Sequence, residues 1–121
     1  MRGNNGRVSK KKIPAEIGEA ALASPETNLA LAVRYLLQLI EKRSPGRSVE
    51  LRVPPYGAIQ CIEGLNHRRG TPPNVVEISP QVFVSICLGK TTWQQEVANG
   101  KVLASGEQAK ELADLFPLRR D

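Results

Sequence analysis

The stretch from Leu29 to Ile40 constrains the fold of this sequence more than any other part of it. Its polar residues, Arg34 and Gln38, are four positions apart, so they fall on one stripe of an α-helix. Such a helix exposes a narrow edge to water and must bury the rest against a sheet or around a cavity. As a helix the stretch spans ~18 Å, which is well short of the ~30 Å hydrocarbon core of a bilayer. It therefore predicts a buried helix in a globular domain.

Capping signals predict where this long helix begins and ends. Ser24 can cap free amides, Pro25 suits the first helical position, and Glu26 favours the positive end of the helix dipole. We therefore expect the helix to begin at these residues and to end at the Ser-Pro-Gly sequence of residues 44–46. A weaker helical pattern over residues 13–21 precedes it.

Alternation of polar and apolar residues predicts three strands, over residues 48–53, 58–62 and 74–78. Residues 54–57, Pro-Pro-Tyr-Gly, predict a tight reversal between the first two strands. We expect a meander in which consecutive strands are neighbours. A short fourth strand is expected at residues 101–104.

Capping signals predict three further helices in the last third of the chain. Ser79 and Pro80 open the first, which is expected to end at Gly89. Residues 92–95 and 105–108 each fit a capping box, with a Thr or Ser followed three positions later by a Gln, and these open the other two. The resulting order of elements predicts an α+β domain with its helices packed on one face of the sheet.

The net charge of +5 lies in the first twelve residues, since the basic and acidic residues of 13–121 are equal in number. Few apolar residues occur there, so we predict a disordered basic tail over residues 1–12 and a single domain over residues 13–121. The tail can contact an anionic membrane weakly, at about 1 kcal/mol per basic residue at most. Its basic residues are Arg2, Arg7, Lys10, Lys11 and Lys12. Nucleic acid is not expected as a partner, because five aromatic residues in the whole chain leave little for base stacking.

Few residues in the chain can support catalysis. His67 is the single histidine, and the adjacent Arg68 and Arg69 disfavour its protonated form. Cys61 and Cys87 fit neither a disulfide scaffold nor a metal site, and indicate small core residues in a reducing cytosol. We expect a cytoplasmic protein with no catalytic residues, metal or cofactor. An enzyme that uses His67 or Cys61 is the weakest alternative.

The loop of residues 64–74 concentrates polar character and contains Arg68 and Arg69. One interpretation is a rigid strand connection with solvated arginines, which loops carry routinely. The other is that either guanidinium offers a fork of donors to an anionic head group at the mouth of a pocket. The sequence leaves both open.

Two motifs resemble the sterol carrier protein type 2 superfamily. The C-terminal motif comprises Phe83, Gly89, Lys90, Trp93, Ala98, Asn99, Gly100, Lys101, Val102, Ala104, Ser105 and Gly106. The middle of the chain, at residues 47–61 and 69–77, is similar to a bacterial branch usually called sterol carrier family protein. The resemblance covers about residues 25–118.

The resemblance implies a curved, mostly antiparallel sheet of four or five strands, with helices that close an apolar tunnel on one face. Members of the superfamily bind sterols or fatty acyl chains and have no catalytic residues in this domain. Similar domains also occur beside, or fused to, metal-dependent maleylpyruvate isomerase-like modules in bacteria. The resemblance therefore implies either a non-catalytic carrier of a lipid or other apolar molecule, or a closed-core accessory domain that partners a separately encoded enzyme.

An apolar wall for such a tunnel can be drawn from the long helix, the helix after Pro80 and the final helix. We expect it to consist of Val33, Leu36, Leu37, Ile40, Phe83, Ile86, Cys87, Leu112, Leu115 and Phe116. The polar mouth would be Arg68 and Arg69. In a protein without a tunnel, the same apolar residues would simply form a close-packed core.

Removal of residues 1–12 should leave thermal unfolding unchanged and weaken binding to anionic vesicles at low salt, because the excess positive charge of the chain lies there. Co-sedimentation with phosphatidylserine vesicles measures this affinity, and zwitterionic vesicles are the control. If the shortened chain binds anionic vesicles as well as the full chain does, the tail is not a membrane tether.

Overall fold

The computed structural model describes residues 12–64 and 74–119. Most of the basic tail, together with His67, Arg68 and Arg69, lies outside these described residues. In chain order, the elements are α1 (Ala15–Ala23), α2 (Leu29–Arg43), β1 (Val49–Val53), β2 (Gly57–Cys61), β3 (Asn74–Ile78), α3 (Pro80–Cys87), α4 (Trp93–Ala98), β4 (Val102–Ser105) and the 3₁₀ helix Ala109–Leu115. The fold is α+β, as the sequence predicts.

The four strands form one mixed sheet in the order β2-β1-β3-β4. β1 pairs antiparallel with β2, and β3 pairs antiparallel with β4, so the prediction of a mostly antiparallel sheet is confirmed. The prediction of a meander is wrong, because β3 lies beside β1 and runs parallel to it, with Leu51 opposite Val76. Cys61 at the end of β2 and Asn74 at the start of β3 both lie opposite Val49, so residues 62–73 join two strands at the same end of the sheet.

A buried amide fixes β3 beside β1. Asn74 is almost fully buried, and its Nδ2 donates to the carbonyl oxygen of Ser48 at 2.8 Å. Its Oδ1 accepts from the backbone N–H of Gln108 at 2.9 Å. Both ends of the buried amide are therefore satisfied, and three distant segments meet at one side chain.

Strand alternation separates a buried face of the sheet from a solvated one. On β1, Val49, Leu51 and Val53 are fully buried, whereas Arg52 points to solvent and pairs with Glu77 of β3 at 3.9 Å. The buried face joins the helices in one hydrophobic core, so the prediction of helices on one face is confirmed.

The start of the long helix differs from the prediction. α2 begins at Leu29 with Asn28 as its N-cap residue, and residues 24–28 form the connection between α1 and α2. The carbonyl oxygen of Ser24 accepts from the N–H of Thr27 and from Nδ2 of Asn28. α1 already extends to Ala23, so Ser24 ends one helix instead of capping the next.

The two capping boxes have different outcomes. Thr92 caps α4 as predicted, since its Oγ1 accepts from the N–H of Gln95 at 3.0 Å. The prediction of a capping box at residues 105–108 is wrong, because Ser105 is the last residue of β4 and the element that follows is a 3₁₀ helix. In the predicted box, the Ser105 hydroxyl would accept a hydrogen bond from the N–H of Gln108. In the structure, Oδ1 of Asn74 accepts it instead.

Gly18 allows α1 to approach α2 closely. A Cβ at this position would overlap the ring of Tyr35, which is 3% exposed. The Tyr35 hydroxyl donates to Oε2 of Glu19 at 3.1 Å, which holds the ring in place. A glycine inside a helix, usually unfavourable, is therefore required here by packing.

Gly18→Ala should lower the free energy of unfolding by about 1–2 kcal/mol, because the cost of overpacking against Tyr35 exceeds the gain in helix propensity. Denaturant titration measures the change. Glu16→Ala, at an exposed site of the same helix, should alter stability by less than about 0.5 kcal/mol. A stabilised Gly18→Ala variant would show that the Tyr35 ring does not occupy this space.

Candidate ligand-binding cavity

A cavity of about 480 Å³ lies between the end of α3, the start of α4 and the chain that follows the 3₁₀ helix. Its apolar lining consists of Ile86, Leu88, Trp93, Ala113, Phe116 and Pro117. Its polar rim consists of Lys90, Thr91, Thr92 and Gln94. The volume falls within the range of about 300–1,000 Å³ that is typical of small-molecule sites.

A sharp turn after α3 separates the two helices that border the cavity. Gly89 has a φ of +77°, a left-handed conformation that glycine adopts without steric cost. A Cβ on Gly89 would also lie 3.5 Å from Cβ of Pro117 and 3.6 Å from the carbonyl oxygen of Arg119. These are ordinary contact distances, so the left-handed φ, and not a lack of space, is the reason for glycine at this turn.

Two aromatic rings form one side of the cavity. The centroids of Trp93 and Phe116 are 6.0 Å apart and their planes differ by 16°, a stacked pair. Trp93 is held at the first position of α4 by the cap on Thr92, and it is buried. The pair gives this side of the cavity an aromatic wall.

The rim carries one charge, that of Lys90, which is exposed. The two threonine hydroxyls are already engaged, since Oγ1 of Thr91 donates to Oε2 of Glu96 at 2.6 Å and Oγ1 of Thr92 accepts from Gln95. The arrangement can hold an apolar body against the aromatic pair and leave a polar or anionic group beside the Lys90 ammonium.

Only part of the predicted apolar wall borders this cavity. Ile86 and Phe116 line it. The other predicted residues belong to the core between the helices and the sheet, or pack against it. These are Val33, Leu36, Leu37, Ile40, Phe83, Cys87, Leu112 and Leu115. The role of this set as a tunnel wall stays a prediction, and Arg68 and Arg69 lie outside the described residues.

The packing of that core determines whether the predicted tunnel contains space for a guest. Val33, Leu36, Phe83 and Leu112 have no accessible surface, so no water-sized space adjoins their side chains. Leu115 and Phe116 are half-buried at the margin. A guest between α2 and the sheet would therefore need these side chains to move apart, whereas the cavity beside Trp93 already contains space.

Sequence reasoning missed several residues that line the cavity. Trp93 could have been found from the sequence, because it is the single tryptophan of the chain and directly follows the capping residue Thr92. Lys90 belongs to the C-terminal motif that carries the family resemblance, whereas Pro117 gave no signal, because it belongs to no periodic apolar pattern.

Both cysteines are buried and free of disulfide bonds. Burial and then the nearby Glu41 carboxylate raise the pKa of Cys61 to about 11. Burial raises the pKa of Cys87 well above its ordinary value. Within residues 12–64 and 74–119, no three His, Cys, Asp or Glu side chains are grouped so as to hold a metal ion. A thiol in this state is a poor nucleophile, because the thiolate is the reactive form.

The family model described as bacterial SCP ortholog, in which SCP denotes sterol carrier protein, matches residues 25–118. The chain belongs to this family. The match runs from the α1–α2 connection to Leu118, so it includes α2, the sheet and the cavity. Comparison with curated proteins found no match. No helix within the described residues 12–64 and 74–119 is both long enough and apolar enough to cross a bilayer.

The thiol-specific reagent DTNB should react with native Cys61 at pH 8 about a hundredfold more slowly than with a thiol of pKa 9.0, because a pKa of about 11 lowers the thiolate fraction by that factor. The rate should rise as the pH approaches 11, and Cys87 should react more slowly still. Both thiols should react rapidly in guanidinium. Rapid labelling of native Cys61 at neutral pH would contradict its burial and favour a catalytic thiol.

Proposed function

We propose that this protein is a non-catalytic binding domain that carries a lipid or another apolar small molecule. The observation that supports the proposal is the cavity of about 480 Å³ with the stacked Trp93 and Phe116 on one side. Ala113 and Pro117, which are half-buried, contribute apolar surface, and Lys90 provides a cation at the rim. Membership of the bacterial SCP ortholog family supports the same function.

The free energy for such binding comes from desolvation. Each methylene moved from water into an apolar cavity gains about 0.8 kcal/mol, so a twelve-carbon chain gains on the order of 10 kcal/mol before the costs of association and ordering. No catalytic group is required. Shape and apolar surface suffice, and the cation at Lys90 can favour a guest with an anionic end.

The site of the guest is proposed at the periphery rather than in a central tunnel. Ile86 contributes to both the cavity and the core, so the cavity adjoins the predicted wall. A longer guest would extend from the cavity toward Phe83 and Leu112 only by displacing side chains that now pack against one another. Short or compact apolar molecules should therefore bind more readily than long ones.

An apolar fluorescent probe, 1-anilinonaphthalene-8-sulfonate, should bind at one saturable site and be displaced by medium-chain fatty acids. Ala113→Phe should weaken probe binding at least tenfold, because the added ring fills space in the cavity. Ala98→Phe is the matched control, since Ala98 is exposed on α4 and is not part of the lining. Fluorescence titration measures both variants, and circular dichroism confirms that they fold.

Two outcomes would contradict the carrier. One is the absence of displacement by a broad panel of lipids. The other is equal probe affinity in Ala113→Phe and the native chain, which would place the probe elsewhere.

The second candidate is an accessory domain with a closed core that partners a separately encoded enzyme, such as a maleylpyruvate isomerase-like protein. The fully packed core around Leu36 and Phe83 favours it, and so does Leu103, which is 61% exposed on the edge strand β4. Co-purification with such an enzyme, together with no ligand extracted from the native protein, would support this candidate over the carrier.

A further inference from the structure

The segment Phe116 to Arg119, which we call the strap, runs from the cavity to α1. Phe116 and Pro117 line the cavity, and Leu118 is buried in the core. The backbone N–H groups of Leu118 and Arg119 both donate to the carbonyl oxygen of Cys87, at 2.9 and 3.0 Å. The strap therefore lies across the end of α3 and covers one side of the cavity.

An ion pair fixes the far end of the strap to α1. The Arg119 guanidinium donates through Nη1 to Oε1 of Glu19 at 2.7 Å, and Nη2 is paired with Oε2 of the same carboxylate. The Tyr35 hydroxyl donates to the same Oε2, which orients the carboxylate. The hydrogen bond from Arg119 holds the pKa of Glu19 below its ordinary value, so Glu19 is ionised at neutral pH.

The strap is not part of the helices that hold Ile86, Trp93 and Ala113 in the cavity lining. It belongs to no helix or strand, and its backbone is bound through the two bonds to Cys87 and one from Phe116 to the carbonyl oxygen of Ala113 at 3.2 Å. The Glu19 and Arg119 side chains are 39% and 41% exposed, and such pairs contribute little to global stability. Segments held in this way open at a lower free energy than the whole fold.

We propose that the strap is the lid of the cavity and that the Glu19–Arg119 ion pair is its latch. When the latch opens, Phe116 separates from Trp93 and the aromatic side of the cavity becomes accessible. The role of the lid in admitting a guest rests on the proposed function, whereas the opening itself does not. A purely structural staple would stabilise the chain end without changing access to Trp93.

Trp93 reports on the lid directly, because it is the single tryptophan of the chain and stacks on Phe116 of the strap. Glu19→Gln removes the charge and keeps an acceptor for Tyr35, and Glu16→Gln at an exposed site of α1 is the matched control. Arg119→Gln breaks the same pair from the other side and provides a second test if Glu19→Gln does not fold.

Without any guest, Glu19→Gln and Arg119→Gln should each raise the acrylamide quenching constant of Trp93 about two- to fivefold, the range expected for loss of a half-exposed ion pair. The double variant should give less than the sum of the two single changes, because Glu19, Arg119 and Tyr35 form one network. In stopped-flow mixing with 1-anilinonaphthalene-8-sulfonate, association and dissociation should both accelerate by a similar factor. Glu16→Gln should leave quenching and both rates unchanged.

Unchanged quenching in both folded single variants overturns the latch, including the case in which the melting temperature falls, since that would identify a structural staple. Additive effects in the double variant also overturn it. If the native chain binds no probe, the proposed function fails, but the quenching measurement still decides whether the strap opens. Faster quenching with unchanged probe rates overturns the strap as the route of entry.

Discussion

Burial of α2 is the constraint on which the rest of the structure depends. Val33, Leu36 and Ile40 are fully buried, and each such side chain contributes about 1.5–3 kcal/mol relative to exposure. α2 contacts α1, α3 and β2, so its apolar sides are covered from three directions. Because its side chains already fill the middle of the domain, space for a small molecule occurs at the margin, where the turn at Gly89 separates α3 from α4.

The local pattern predicted most of the fold, and its errors at β3 and at the final helix share one physical origin. Alternation identified β1 and β2, and the Pro-Pro reversal between them gave a hairpin, since both signals act between near neighbours. The pairing of β3 with β1 depends on the Asn74 amide, which reaches a residue 26 positions away. The 3₁₀ helix also depends on Asn74, because Gln108 donates to it across 34 positions. Such contacts leave no periodic trace in the sequence.

The candidate site was less predictable than the fold for a related reason. Apolar character identified Ile86 and Phe116, but it does not distinguish side chains around a space from side chains that fill one another's space. Lys90 and Trp93 border the cavity because Gly89 turns the chain between two short helices. The strap was also beyond sequence reasoning, since the ion pair between Glu19 and Arg119 joins residues 100 positions apart.

The buried amide of Asn74 has a consequence for how the chain avoids wrong alignments. A shift of β3 by one residue in register would turn Val75 and Glu77 toward the hydrophobic core. The Glu77 carboxylate would then lie among apolar side chains. The shift would also carry the amide away from both Ser48 and Gln108 and leave their polar groups without this partner. Asn74 thus helps to fix the register of β3, because a shifted strand would lose apolar contacts and polar partners together.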